Sequence, residues 1–300
     1  MKTVQLPDGE RVPALGQGTW RMGENKSARA DEVEALRLGI DLGMTLIDTA
    51  EMYGDGGAEK VVADAIADQR DRVFVVTKAY PHNASSTELP KACERSLKRL
   101  RIDVVDLYLL HWREKNTPLA ETVETFEKLR SAGKILRWGV SNFDVEDMRE
   151  LLAIEHGANC AANQVLYNLE HRGIESGLLH FHQQSTNASP AWTNHQPALM
   201  AYSPVGHGRG LLDNATLKKI AKRHDATPAQ IALAWVLRAQ GPPPPDGVAV
   251  ANVIAIPKAS DKKHVRENAE SAKIRLTKQD LQDLDDTFQP PQSKERLAML

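Results

Sequence analysis

Cysteine is nearly missing from this sequence: 300 residues include two, Cys93 and Cys160, far apart along the chain. No disulfide framework and no cysteine metal motif can be assembled from such a pair, so no metal is expected and a reduced, cytoplasmic chain is. Cys93 falls within a helical pattern and Cys160 just before a strand, where a thiol packs as a small apolar group. Excess charge is missing as well. The formal net charge is -2, which gives no electrostatic case for nucleic acid or an anionic membrane as a partner. No run approaches the ~18 apolar residues of a membrane span, and residues 1–10 hold no apolar signal-peptide core. Gly16-Gln-Gly18 is not followed by a third glycine opening a helix, so no dinucleotide fingerprint is present. No linker-like run divides the chain, and residues 1–300 are expected to form a single domain.

What the chain does contain is a repeated unit. Residues 3–12 alternate around Asp8-Gly9, the signal of a hairpin. Residues 15–20 read as a first short strand, with glycines where backbones approach closely. Helices are then expected over 28–42, 58–67, 88–100, 119–129, 145–153, 173–183, 217–223, 228–237, 264–271 and 278–287. Each carries apolar residues at helical spacing, such as Val33, Leu36 and Ile40 in the first. Between them lie short apolar runs at 46–47, 73–76, 104–110, 135–140, 160–164, 198–202 and 253–256. Thr227 before Pro228 reads as a helix cap, as do Thr277 and Ser260. Strands alternating with helices predict a parallel sheet. Eight such units in a chain of this length predict an α/β fold of the closed (β/α)8 TIM-barrel type, with an N-terminal β-hairpin and an extra C-terminal helix. Two stretches break the rhythm, 184–197 and 241–250. Both follow a helix and precede a strand, which predicts surface insertions on the face away from the strand carboxyl ends. Trp192 in the first could anchor a partner contact.

The strand ends are chemically unusual. The run Thr45-Leu-Ile ends in Asp48, and Tyr53 follows five residues later. Later strands end at Lys78, His111, Asn142, Gln164, Tyr202 and Lys258. In a parallel barrel these groups face one bowl, where ligands and catalytic groups gather. Lys78 can supply the partner that a strand-end carboxylate needs. An ammonium also stabilises a phenolate, which would lower the pKa of Tyr53 toward that of a useful acid. Taken one at a time, Asp48–Lys78 reads equally well as a structural pair, His111 as a core histidine and Tyr53 as a rim residue. Their convergence at strand ends is what argues for chemistry.

At these residues the sequence resembles the aldo-keto reductase family over nearly its whole length. Asp48-Thr-Ala-Glu-Met-Tyr53 is similar to the family's D-T-A-x-x-Y segment. Thr77-Lys78, Leu109-Leu-His111-Trp112, Gly139-Val-Ser-Asn-Phe143, Asn163-Gln164 and Ile256-Pro-Lys258 follow in family order. Gly16-Gln-Gly-Thr-Trp-Arg-Met-Gly23 is similar to bacterial members that reduce small aldehydes such as methylglyoxal. The resemblance implies an NADPH-dependent oxidoreductase of the aldehyde reductase (alcohol dehydrogenase (NADP+)) type, a monomer acting on a small-molecule carbonyl. It implies Tyr53 as general acid, Lys78 paired with Asp48 to lower its pKa, and His111 to orient the carbonyl. Gly18, Thr19, Trp20 and Asp48 would border the cofactor. Ser141, Asn142 and Gln164 would hold the nicotinamide carboxamide, Tyr202 would stack on the ring, and Ser203 would approach the pyrophosphate. Trp20 and Trp112, with Tyr53 and His111, would wall the substrate pocket.

The match is incomplete at the adenosine end. NADP-preferring relatives carry serine beside the lysine of Ile-Pro-Lys and arginine six residues after it; here those positions hold Ala259 and His264. Lys258 remains, Glu267 and Asn268 match adenine contacts, and Ser260, Lys262 and Arg266 are available as replacements. NADPH is expected, with weakened discrimination against NADH. The short loop Val205-Gly-His-Gly-Arg-Gly210 implies rapid cofactor exchange, and a short tail after Phe288 implies broad substrate acceptance. Two other readings compete. One is a cofactor-binding regulatory or interaction protein of the same fold with little turnover. The other is a phosphate-binding barrel enzyme that uses Gly206–Gly210 as its phosphate loop, which leaves the Asp48, Tyr53, Lys78, His111 set unexplained.

Overall fold

In the computed structural model, residues 1–179, 197–207, 210–238 and 253–300 are described. Strands β1 (Thr3–Gln5) and β2 (Arg11–Pro13) pair antiparallel with Val4 opposite Val12. Gly9 turns the hairpin at φ +93°, a backbone angle that glycine adopts without strain. Val4, Leu6 and Val12 are buried, and Arg137 at the start of a barrel strand pairs with Asp8 and Glu10. The hairpin therefore closes the end of the barrel where the strands begin.

Eight parallel strands follow: β3 (Gln17–Gly18), β4 (Leu46–Asp48), β5 (Phe74–Ala79), β6 (Val105–Leu110), β7 (Ile135–Ser141), β8 (Ala162–Leu166), β9 (Ala198–Tyr202) and β10 (Val253–Ala255). They pair in chain order from β3 to β10. Both faces of such a sheet are covered, so its strands read as continuous apolar runs rather than as alternation. The seam between β3 and β10 is closed by isolated bridges from Leu15 to Ala255 and from Gly18 to Lys258. Gly18 N–H donates to the Pro257 carbonyl at 3.0 Å. A Cβ on Gly18 would lie 2.7 Å from the Ile256 carbonyl oxygen, so the seam forms only with glycine there. The expected (β/α)8 barrel is thus present, nearly closed.

The helices are α1 (Arg29–Asp41), α2 (Gly57–Ile66), α3 (Glu88–Leu100), α4 (Leu119–Ser131), α5 (Val145–Leu152), α6 (Ala215–Arg223), α7 (Pro228–Val236), α8 (Lys262–Ser271) and α9 (Lys278–Thr287). In α1, Glu32, Ala35, Leu36, Gly39 and Ile40 are buried, one stripe facing the sheet. Thr227 and Thr277 cap α7 and α9 with reciprocal capping boxes, as expected. The cap of α8 is Asp261 rather than Ser260. Asp261 is the last extended residue, and its Oδ1 accepts from the N–H groups of Lys263 and His264. The helix expected over 173–183 is interrupted. Gly173–Ser176 is a 3₁₀ turn, Gly177 leaves helical geometry at φ -131° and ψ -83°, and the predicted helix beyond Leu179 lies outside the described residues. The two insertions, Trp192 included, also lie outside them, apart from Pro197.

A buried aromatic block joins α4 to the sheet. Phe126 stacks on Trp138 at 5.4 Å, and Tyr108 meets Phe126 edge-on. Trp138 is fully buried, and its ring N–H donates to Glu127. Truncating such a residue to alanine costs about 3–5 kcal/mol. Cys93 and Cys160 are buried, and burial pushes each thiol up to about 12, which leaves both unreactive at neutral pH.

Candidate active site

The site is built on an ion pair at the carboxyl ends of β4 and β5. Lys78 is fully buried and uses all three ammonium hydrogens. It donates to Asp48 Oδ2 at 2.7 Å, to the Thr49 carbonyl at 2.9 Å and to the Tyr53 hydroxyl at 3.3 Å. The other oxygen of Asp48 accepts from Gln164 Nε2 at 2.7 Å. Thr19 fastens the loop after β3 by donating to the Asp48 carbonyl. A charge pair this deep holds only when its remaining hydrogen-bond positions are filled, and here they are.

Burial pushes the Lys78 ammonium down, but Asp48 and Tyr53 outweigh it, and Lys78 is held charged above the ordinary lysine range. Burial is also the largest influence on Tyr53 and raises its hydroxyl above the free phenol. Lys78 pulls the other way, and Asp48 adds a further push upward. The expected net lowering of the Tyr53 pKa is therefore not found in the protein alone. Lys78 acts in the expected direction, but Asp48 cancels part of its field and burial does the rest.

His111 follows β6, with its N–H on the Ala79 carbonyl and its ring 5.8 Å from that of Tyr53, edge-on. Burial, and then Lys78, push it down to about 3, so the imidazole is neutral throughout the working range. Its Nδ1 has no hydrogen-bond partner. A neutral ring can offer one N–H to an oxygen but cannot serve as a cationic acid.

The opposite wall holds two residues with left-handed backbones, Asn142 after β7 at φ +60° and Ser203 after β9 at φ +48°. Such conformations persist where surrounding bonds over-determine them. Asn142 Nδ2 donates to the His111 carbonyl and to Ser141 Oγ, and its Oδ1 accepts from the Tyr202 hydroxyl at 3.0 Å. Ser141 Oγ donates to the Gln164 carbonyl. The Ser203 carbonyl is held by Asn168 Nδ2 at 2.9 Å.

These groups surround a cavity of about 810 Å³. Gly18, Thr19, Trp20, Asp48 and Tyr53 line one side, with His111 and Trp112 beside them. Ser141, Asn142, Gln164, Tyr202 and Ser203 line the other, and Lys258 stands at the edge. Lys78 lies beneath the floor. Ala259, His264, Glu267 and Asn268 lie outside this cavity, on α8 and the segment leading into it.

Sequence reasoning missed several wall residues. Arg21 sits with its guanidinium carbon 4.5 Å over the Trp20 ring, and His207 is 4.9 Å from the same ring. Met299 and Leu300 also line the cavity, and the Leu300 N–H donates to the Tyr202 hydroxyl at 3.4 Å. Arg21 was visible in the Trp20-Arg21 neighbourhood, and the short tail after Phe288 was expected over the pocket, though not which of its residues would line it. Of the glycine-rich loop, residues 208–209 lie outside the described set.

The sequence profile of the Aldo/keto reductase family matches residues 14–288. Methylglyoxal reductase YeaE of Escherichia coli (strain K12) is 48% identical, covering 100% of this chain and 99% of its own. Methylglyoxal reductase DkgA of Yersinia pestis is 30% identical over 93% of this chain and 90% of its own. Among solved structures, an aldo/keto reductase from Klebsiella pneumoniae in complex with NADP and acetate superposes with a TM-score of 0.90. It is 47% identical and covers 100% of this chain and 99% of its own. A second Klebsiella pneumoniae structure, in complex with NADPH, gives 0.89 at the same identity and coverage.

Proposed function

The chain belongs to the aldo/keto reductase family, and from that premise we propose that it reduces small 2-oxoaldehydes such as methylglyoxal with NADPH, Tyr53 serving as the acid. It is an NADPH-dependent carbonyl reductase. The observation that carries the residue assignment is the fully buried Lys78 ammonium, which donates at once to Asp48 and to Tyr53 at the base of the cavity. An unpaired buried lysine would shed its proton; this one is locked in its charged form beside a phenol.

The residues present fit the cofactor. Gly18 presents bare backbone to the cavity, and a side chain there would strike the seam. Gln164 spends its amide N–H on Asp48, which leaves its carbonyl oxygen for a carboxamide N–H. The Tyr202 ring is a flat apolar wall, and Lys258 is an exposed ammonium whose hydrogen bond goes to Ser260 Oγ. When bound, the reduced nicotinamide supplies a hydride to the carbonyl carbon.

The chain's residues do the rest. Neutral His111 donates to the carbonyl oxygen and fixes its direction. Tyr53 gives its hydroxyl proton to that oxygen as negative charge develops there, and Lys78 stabilises the phenolate left behind. Asp48 holds Lys78 in place and charged. Trp20 and Trp112 line the cavity beside Tyr53 and His111 and give the substrate an apolar wall. A steady-state panel of methylglyoxal, other aldehydes and ketones, with NADPH and with NADH, tests the reading. Turnover highest with 2-oxoaldehydes and NADPH is expected. Cofactor binding without turnover of any carbonyl would favour the regulatory reading instead.

Among the described residues no helix is long and apolar enough to cross a membrane, and no cluster of His, Cys, Asp and Glu is placed to hold a metal ion.

A further inference from the structure

Glu51 stands between Asp48 and Tyr53 in the loop that follows β4, and its carboxylate is buried, with the residue 7% exposed. Its Oε1 accepts from the Tyr80 N–H at 2.8 Å and from Asn83 Nδ2 at 2.8 Å. Its own N–H donates to the Lys78 carbonyl at 3.3 Å. Backbone and side chain thus both fasten this residue to the end of β5, on either side of Ala79.

The other oxygen faces two guanidiniums of α3, Arg95 at 3.7 Å and Arg99 at 3.9 Å. Arg99 Nε donates in turn to Glu59, fully buried on α2. The second oxygen of Glu59 accepts from Thr77 Oγ1 at 2.7 Å, the residue before Lys78. Arg99 reaches this position by passing Gly56, where a Cβ would lie 2.4 Å from Arg99 Cδ. The network joins the Tyr53 loop, β5, α2 and α3. None of Glu51, Glu59, Arg95 or Arg99 lines the cavity.

We propose that Glu51 is a positioning residue for carbonyl reduction, holding the Tyr53 loop at a fixed distance from Lys78. Stability alone does not account for a carboxylate here, because well-packed apolar side chains commonly replace buried ion pairs at no cost. A charged anchor with directional partners fixes geometry. The geometry that matters is the Lys78–Tyr53 contact, which at 3.3 Å is the longest of the three that Lys78 makes and the one that reaches past Glu51 to the far side of the loop. A misplacement of about 1 Å at a reacting group costs roughly a hundredfold in rate.

The proposal rests on Tyr53 being the acid, so Tyr53→Phe is measured beside Glu51→Ala and Glu51→Gln. The readout is the single-turnover rate of NADPH oxidation by methylglyoxal, normalised to bound NADPH, together with its solvent deuterium isotope effect. A merely structural role would change the folded fraction but not that normalised rate. Glu51→Ala is expected to lower it about tenfold or more and to raise the isotope effect, with NADPH affinity unchanged. Glu51→Gln keeps an oxygen for Tyr80 and is expected to fall between. Asp106→Asn, which breaks the pair with Arg70 at the opposite end of the barrel, is expected to lower the melting temperature and leave the normalised rate alone. Should Glu51→Ala not fold, Glu51→Gln and Asn83→Ala carry the same comparison. Wild-type rates in the Glu51 variants beside an inactive Tyr53→Phe would overturn the positioning role by itself. An active Tyr53→Phe would overturn the acid assignment and the proposal with it.

Discussion

The side-chain amide of Gln164 donates a 2.7 Å hydrogen bond to Asp48 Oδ1, across the barrel mouth from β8 to β4. The same amide lines the cavity, so one side chain joins the ion pair to the wall where a carboxamide is expected. Removing it leaves a buried carboxylate oxygen without a donor. Hydrogen bonds to charged groups contribute about 1.5–3 kcal/mol, which is roughly tenfold or more in an equilibrium or a rate. Gln164→Met, close in volume, is expected to weaken NADPH binding and to lower kcat by about that factor each. Fluorescence titration and steady-state kinetics measure both, and wild-type values in the two would show that the bond carries nothing.

Tyr53→Phe keeps the ring that packs over Lys78, with the ammonium 4.9 Å from its centre, and removes the hydroxyl, both its proton and the oxygen that accepts from Lys78. Loss of a positioned acid costs about 10²–10⁴ in rate. That loss is expected in kcat, with NADPH affinity retained. The sign of the pH dependence follows from the raised Tyr53 pKa. With Tyr53 as the proposed acid, the rate is expected to be full below the ordinary phenol range and to decline only as pH rises past it. Neutral His111 adds no limb between pH 5 and pH 8, because it titrates near 3. A decline of kcat centred near pH 6.5, removed by His111→Gln, would contradict the neutral imidazole.

The barrel was legible because a parallel strand covered on both faces is mostly apolar, so the change to Asp48, Lys78 or His111 marks the carboxyl end of its strand to within a residue. The caps Thr227 and Thr277 were legible because a cap is a local bond. Ser260 was misread because Ser260 and Asp261 are both good caps, and only the backbone angle decides between them. The Gln164–Asp48 bond was hidden because its partners are far apart in the chain and meet only when the barrel closes. Glu51 passed as a spacer within a motif, since its partners Tyr80, Asn83, Arg95 and Arg99 come from other elements. The net direction of the Tyr53 shift was hidden for a different reason. It is a difference between burial and two opposed charges, and residue types alone give only the signs.

The depressed His111 pKa carries a stability consequence. The unfolded chain binds a proton on this imidazole below about pH 6.5, whereas the folded protein refuses one until about 3. Between those values the unfolded state holds more protons, so stability falls as pH falls through that window and is full above it. The contribution is on the order of 5 kcal/mol at most. His111→Gln is therefore expected to lose less melting temperature than wild type between pH 7 and pH 4, although it turns over more slowly. Parallel acid dependence in the two would mean that another group governs acid unfolding.

The proposed cofactor placement puts discrimination between NADPH and NADH at the start of α8. A helix N-terminus attracts phosphate through its free N–H groups, but here Asp261 already accepts from those of Lys263 and His264. The remaining grip on a 2′-phosphate must come from side chains, and Ala259 offers none. Lys258, with its ammonium 2.9 Å from Ser260 Oγ, is a flexible point charge rather than a bidentate clamp. Ala259→Ser with His264→Arg adds a hydroxyl and a permanent guanidinium, each able to make a charge-assisted bond to phosphate. At about 1.5 kcal/mol or more for such a bond, the ratio of kcat/KM for NADPH over NADH is expected to rise at least about tenfold, with the NADH value nearly unchanged. Because position 264 is exposed, the gain should shrink as salt is added. A ratio that stays at the wild-type value at low ionic strength would place the 2′-phosphate contacts elsewhere than this helix start.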